Sequence, residues 1–207
     1  GTGSGSQTAI AVDQIIAEAK AGAGGKGAAA NGGSGVATAG QDGQKGEAAE
    51  AYGVYAAKGA VITLNAKTDG GNGGTITIGA KAGNTATLEG CKAYAIYADN
   101  ATVLFNDNAV LNSDGTNPDD TVITYLNNAT LGFGSPAAGQ EVGRIITGST
   151  LQLEGSNTFR VATDLTHNRA DSFEFKSLAA DSSTETQYIT VGYDKAFDGS
   201  RLGSFIG

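Results

Sequence analysis

The chain reads as an all-β protein, a parallel β-helix in which short strands are wound and stacked, and three observations predict it. It is rich in glycine and poor in the residues that pack helices, short alternating apolar–polar segments recur along it, and two series of those segments return at a spacing of about twenty residues.

The 207 residues are enough to bury one continuous core, and nothing in their distribution demands a second domain. Thirty-three glycines, no tryptophan, no methionine and only 16% charged residues argue against a helical bundle. Glycine and β-branched threonine both disfavour helix interiors and suit many short strands joined by tight turns. With two prolines and no three-residue glycine period, the chain is not collagen-like. A net charge of −8, with thirteen Lys and Arg spread thinly, excludes nucleic acid as a partner, because that recognition begins with a basic patch. No run of about 18 apolar residues is present, so no membrane helix is expected. Gly1 to Ser6 reads as a trimmed end rather than a signal peptide. The single cysteine, Cys91, forbids an intramolecular disulfide. With only Lys92 as a basic neighbour, it is expected to be a small core residue rather than a reactive thiol.

Residues 1–50 form a Gly/Ala-rich N-terminal region expected to be partly loop or disordered. Within it, residues 9–20 place Val12, Ile15, Ile16 and Ala19 on one helical face, and read equally as a first strand. Residues 22–46 offer almost nothing to bury. Residues 51–155 are expected to form the β-helix coils. Their strand-length segments are Val61–Leu64, Thr75–Ile78, Thr85–Leu88, Tyr94–Tyr97, Val103–Phe105, Val122–Tyr125 and Thr150–Leu153, each followed by turn residues.

The repeats set the architecture. Ala-Tyr-Gly-Val-Tyr-Ala at 51–56 returns as Ala-Tyr-Ala-Ile-Tyr-Ala at 93–98, an offset of 42, read as two coils of 21. Leu64, Leu88, Leu111, Leu131 and Leu151 follow at intervals of 24, 23, 20 and 20. A coil of three short strands and three turns closes after about 20 residues at about 3.3 Å per residue. These leucines are therefore expected in one interior ladder, with Asn and Gly supplying left-handed backbone at the corners. The helical return of leucine-rich repeats is absent.

Three C-terminal segments, Gly155–Leu165, Ala170–Phe175 and Gln187–Asp194, contain N-x-F-x-x-x-T-D-L, then an acidic A-D segment, then I-x-V-x-Y. This succession resembles the end of the pertactin-like passenger domains of bacterial autotransporters. The match covers about residues 150 to 195 in motif, and departs from the family at Ser172-Phe173. The resemblance implies a right-handed, single-stranded parallel β-helix at the cell surface, with residues 156–207 as an autochaperone-like cap. It also implies an outer-membrane barrel, which this sequence does not contain, so the chain reads as excised from something longer. Phe159, Val161, Leu165, Phe173, Phe175, Ile189, Val191 and Tyr193 alternate with period two and are expected to form the densest core.

Parallel β-helices also serve as pectate lyases and polygalacturonases, which need converging carboxylates. Asp99, Asp107, Asp114, Asp119 and Asp120 are the candidates, and the stretch 114–120 reads as a solvated turn. His167, the one histidine, sits in a polar segment with no partner for a triad or a zinc site, and is expected at the surface. Gly70–Ile78 approaches a calcium-binding nonapeptide, but Thr75 stands where the aspartate is needed. It lacks the Gly-Lys-Ser/Thr of a P-loop and reads as a turn. Thr75-Ile-Thr77 and Thr85-Ala-Thr87 resemble an ice-binding threonine array that breaks after two coils. The expectation is thus a non-catalytic, adhesin-like stalk with no cofactor and no metal, facing a host or cell-surface protein or glycan. A carbohydrate-active β-helix is the alternative, and self-association through open coil ends is a further expectation.

Overall fold

The computed structural model describes residues 7–19, 49–67, 74–82, 91–112, 122–134, 141–165, 167–180, 182 and 184–193. Every regular element among them is a β-strand. The first group is β1 (Gln7–Ala11), β2 (Gln14–Ala19), β3 (Glu50–Ala57), β4 (Val61–Asn65), β5 (Thr75–Ala82) and β6 (Lys92–Asp99). The second is β7 (Thr102–Phe105), β8 (Asn108–Leu111), β9 (Val122–Asn127), β10 (Thr130–Phe133) and β11 (Ile145–Glu154). The last is β12 (Thr158–Asp164), β13 (Arg169–Ala170), β14 (Ser172–Leu178) and β15 (Tyr188–Tyr193).

Pairing advances by three strands at a time through the first ten strands. In one column β1, β4, β7, β10, β12 and β15 pair in parallel. In a second, β2, β5, β8 and the Ile146–Gly148 stretch of β11 do the same. In the third, β3, β6, β9 and the Thr150–Glu154 stretch of β11 follow. The ten-residue β11 thus serves two columns, as does β14, which pairs along it. The short β13 is the exception, antiparallel to the end of β12.

Alternation makes these segments strands. In β4 Ile62 and Leu64 are buried while Val61, Thr63 and Asn65 are half-buried, and in β7 Val103 and Phe105 repeat that pattern. Stacking in register turns the alternation into interior ladders: Ile62, Val103, Leu131 and Phe159 in one row of the first column, and Leu64, Phe105 and Phe133 in the next. Ile15, Ile78 and Leu111 line the second column. Alanines narrow the third, where Ala51 lies beside Ala93 and Ala56 beside Ala98. Enclosing each Leu, Ile or Phe contributes roughly 1.5–3 kcal/mol, so a few rungs outweigh any single polar contact.

Left-handed backbone ends the third-column strands, as the Asn and Gly content predicts. Asn100 (φ 48°), Asn128 (φ 46°) and Gly155 (φ 59°) occupy successive levels of one corner. There the Asn100 amide donates to Asn127 O, and the Asn128 amide to Glu154 O.

Three expectations are corrected. The offset of 42 is one level of the stack rather than two, because Ala51 pairs directly with Ala93, Tyr52 with Tyr94 and Tyr55 with Tyr97. Later levels are shorter: corner contacts join residues 28 apart from Asp99 to Asn127, 28 from Ala129 to Asn157, and 30 from Asn157 to Gln187. Nor do the leucines form one ladder. Leu64 pairs with Phe105, Leu131 with Val103, Leu111 with Ile78, and Leu151 with Thr124. Spacings near twenty record strands of different columns and the lengths of the connections between them; Leu88, with the rest of Thr85–Leu88, lies outside the described residues.

The C-terminal aromatic segments are also less enclosed than expected. The largest fully buried side chains, Phe105 and Phe133 among them, lie in the middle of the chain. Leu165, Ile189 and Val191 are exposed by 49%, 72% and 47%, while Phe159, Phe173 and Phe175 pack only partly against the core. Residues 7–19 form two strands, β1 and β2, and no helix. Ile10 pairs with Leu64 and Ile15 with Ile78, so docking on the edges of β4 and β5 satisfies the backbone and leaves Ile16 39% exposed. Residues 22–46 lie outside the described residues.

Candidate functional site

Chemistry-bearing side chains gather in three places: the outer surface of the third column, the corner between β10 and β11, and the last levels of the interior.

On the outer surface, the in-register repeat sets tyrosine over tyrosine. Tyr52 stacks on Tyr94 with ring centres 5.2 Å apart, and Tyr55 on Tyr97 at 5.2 Å. Tyr97 continues onto Tyr125 at 4.6 Å. The two rows meet edge to face, Tyr52 against Tyr97 at 89° and Tyr94 against Tyr97 at 88°, a herringbone of the kind ring quadrupoles favour. Carboxylates rim it. The Tyr52 hydroxyl donates to Glu50, the Tyr125 hydroxyl donates to Glu154 Oε2 at 2.7 Å, and Asp99 holds Asn127 at 2.9 Å.

Phenol ionisation is disfavoured at Tyr52, Tyr94, Tyr97 and Tyr125. Tyr52 is raised above the ordinary tyrosine range chiefly by its hydrogen bond to Glu50, and Tyr125 by burial and then by Glu154. Burial comes first for Tyr97, followed by the charge of Asp99. Burial also raises Tyr94, against an opposing effect of Lys92.

At the corner, Arg144 and Asp171 form a buried ion pair. Arg144 Nη2 stands 2.7 Å from Asp171 Oδ2, with side chains 6% and 0% exposed, and Arg144 Nε donates to Oδ1 at 3.1 Å. The carboxylate also accepts the amides of Gly143, Arg144 and Ala162. The guanidinium reaches Gly134 O at 3.0 Å and Asn106 O at 3.3 Å, and lies 4.8 Å over the Phe133 ring. This satisfied network joins several levels of the stack. At the other end of β10, fully buried Asn157 accepts the Ala129 amide and donates to Glu154 O and to Gln187.

Between the columns at the last levels lies an apolar cavity of about 470 Å³. Leu151, Phe159, Val161, Phe173, Phe175 and Ile189 line it, with Asp171 and Ser172 at its polar side. Glycine shapes it: a Cβ on Gly148 would stand 2.4 Å from Phe175 Cε1, so the ring occupies the space a side chain would fill.

The aspartates singled out in the sequence do not converge. Asp99 lies at the corner before β7 and binds Asn100 and Asn127. Asp107 lies at the corner before β8, buried, and takes the Ala66 amide at 2.7 Å. Asp114, Asp119 and Asp120 are outside the described residues, as are Thr85 and Thr87. Among the described residues no three of His, Cys, Asp and Glu gather as a metal site would require. His167 is at the surface, its side chain 67% exposed and 2.6 Å from Asp164. Cys91 is half-buried rather than enclosed, and its sulfur accepts the Ala49 amide at 3.3 Å. Thr75 and Thr77 have Asn108 and Val110 as neighbours on the next level. Sequence reading missed Arg144 entirely, and treated the tyrosines as repeat markers rather than as a surface.

No family model, curated protein or solved structure matches the chain.

Proposed function

We propose that the chain is a section of a right-handed, single-stranded parallel β-helix from the passenger of a pertactin-like autotransporter. In this reading it is a non-catalytic, adhesin-like stalk displayed at the cell surface or secreted, with residues 156–207 as a folding cassette.

The observation that carries the reading is the three-strand step of the pairing. Strands that pair in parallel with the third strand onward need a wound path, and parallel crossovers are right-handed in about 98% of cases. Such a stack buries its apolar ladders level by level and presents a long surface, which suits presentation rather than catalysis. The cassette is supported by Asn157 and Asp171. Both fall in the segments that carry the resemblance, and both are buried polar groups whose hydrogen bonds tie the last levels to those before. The partly exposed tyrosine face is where a stalk of this kind would meet a host or cell-surface partner.

The test is display. Residues 1–207 are placed between a secretion signal and an autotransporter barrel, and compared with the same fusion lacking residues 156–207. The proposal expects the full fusion to reach the cell surface and resist protease there, and the shortened one to be degraded. Equal display and equal resistance of the two would remove the cassette from the account.

A further inference from the structure

We propose that the outer surface of the third column is a docking site for a basic polypeptide segment, one whose arginine or lysine side chains settle among the tyrosines and their carboxylate rim. The inference stands whether or not the chain travels as a passenger.

The surface has the composition of an interface centre. Five tyrosines occupy the successive strands β3, β6 and β9, and their rings hold one another in fixed orientations through the centroid contacts of 4.6–5.5 Å within and between rows. Large aromatics held in place cost little entropy to bury, and tyrosine and arginine are the residues most enriched at interface centres. Its rings run from exposed to buried: Tyr55 is 44% accessible, Tyr52 and Tyr97 are half-buried, and Tyr94 and Tyr125 lie beneath them at 5% and 8%.

Charge selects the partner. Among the described residues Glu50, Asp99 and Glu154 stand at the rim, with Lys92 on β6 and Lys58 beside Asp99 as the nearby cations, so the carboxylates outnumber them. Two phenol hydroxyls already donate to those carboxylates, so the oxygens left on the surface are acceptors. After burial at Tyr97 and Tyr125, and the Glu50 hydrogen bond at Tyr52, the charges of Asp99, Glu154 and Glu50 also act to raise the phenol pKa there. A guanidinium answers both features. Its plane stacks on an aromatic ring and its fork meets a carboxylate. Sulfated or sialylated ligands would meet repulsion, and a neutral glycan would gain nothing from the charge.

The experiment uses the whole chain and a fluorescent peptide of six Arg-Gly repeats, with binding followed by anisotropy at two salt concentrations. Binding is expected to weaken with salt. Tyr55→Ala should weaken it roughly two- to fivefold, the size of an exposed cation–π contact, and Tyr55→Phe should restore it. The pair Glu50→Gln and Asp99→Asn should weaken it further. A control of equal charge change on other surfaces, Glu174→Gln with Glu185→Gln, should leave it within twofold of the parent. Circular dichroism confirms that each variant is folded. Equal loss in the control pair, or no loss in Tyr55→Ala, would overturn the proposal by reducing the effect to overall acidity. Binding of an uncharged oligosaccharide at this surface, with none of the peptide, would overturn it in favour of a glycan.

Discussion

Arg144 and Asp171 meet inside the protein with 2.7 Å between Nη2 and Oδ2, and both are held there by backbone partners from four separate segments of chain. Charges taken out of water are stable only when each lone pair and proton has a partner, and here the carboxylate collects three amides besides the guanidinium. The pair therefore acts as a pin through the corner.

Removing half of that pin should be costly. Asp171→Ala leaves a buried guanidinium without its counter-charge and is expected to lower stability by about 3–5 kcal/mol in urea unfolding. Replacing both residues with apolar ones, Arg144→Met with Asp171→Leu, removes the buried charge but leaves the Gly143, Arg144 and Ala162 amides without their acceptor, so it should recover only part of the loss. A single variant within about 1 kcal/mol of the parent would show that the pair is not enclosed as described.

Two positions in the same C-terminal alternation should respond differently. Phe159 pairs with Leu131 and lines the apolar cavity, so Phe159→Ala should cost about 2 kcal/mol, below the roughly 3–5 of a fully enclosed phenylalanine. Val191 is 47% exposed, and Val191→Ala should cost less than about 1 kcal/mol. Urea midpoints that reverse this order would place the C-terminal strand inside the core after all.

Much of the architecture was legible because side-chain alternation is a local property. The strands at Val61–Asn65, Thr102–Phe105 and Val122–Asn127 follow directly from it. The repeat also marks Tyr52 and Tyr94, and Tyr55 and Tyr97, as equivalent positions, but reading its offset as two coils hid their direct stacking. Level length was not legible, because a corner can hold two residues or a long connection without changing the strands beside it. That is why Leu64 and Leu131, both inward in one column, belong to different rows. The Arg144–Asp171 pair was hidden for a similar reason. Nothing around Arg144 marks it as buried, and its partner lies 27 residues later, brought back beside it by the parallel pairing of β11 with β14.

The tyrosine surface makes stability sensitive to alkali. Tyr52, Tyr94, Tyr97 and Tyr125 are raised in the folded state, whereas in the unfolded chain they ionise near pH 10. Their neutral form is the one the fold accommodates. Their contribution is fully present below about pH 10 and is lost as the pH climbs towards their folded values. Unfolding free energy should therefore decline steadily above about pH 10, and the Tyr52→Phe, Tyr125→Phe double variant should flatten that decline. Phenolate absorbance of the native protein rising for all seven tyrosines together near pH 10 would contradict it.

The three-strand step itself is open to direct measurement by cross-linking on a Cys91→Ser background. Thr102 and Thr130 are register partners on adjacent parallel strands, where neighbouring Cα atoms lie about 4.8 Å apart, within the range a disulfide spans. Thr102→Cys with Thr130→Cys is predicted to close a disulfide under mild oxidation without lowering the melting temperature. Val110→Cys with Thr130→Cys, a pair separated by the twenty-residue spacing, should stay reduced. Closure of the second pair and failure of the first would contradict the three-strand pairing step on which the fold, the tyrosine surface and the proposed stalk depend.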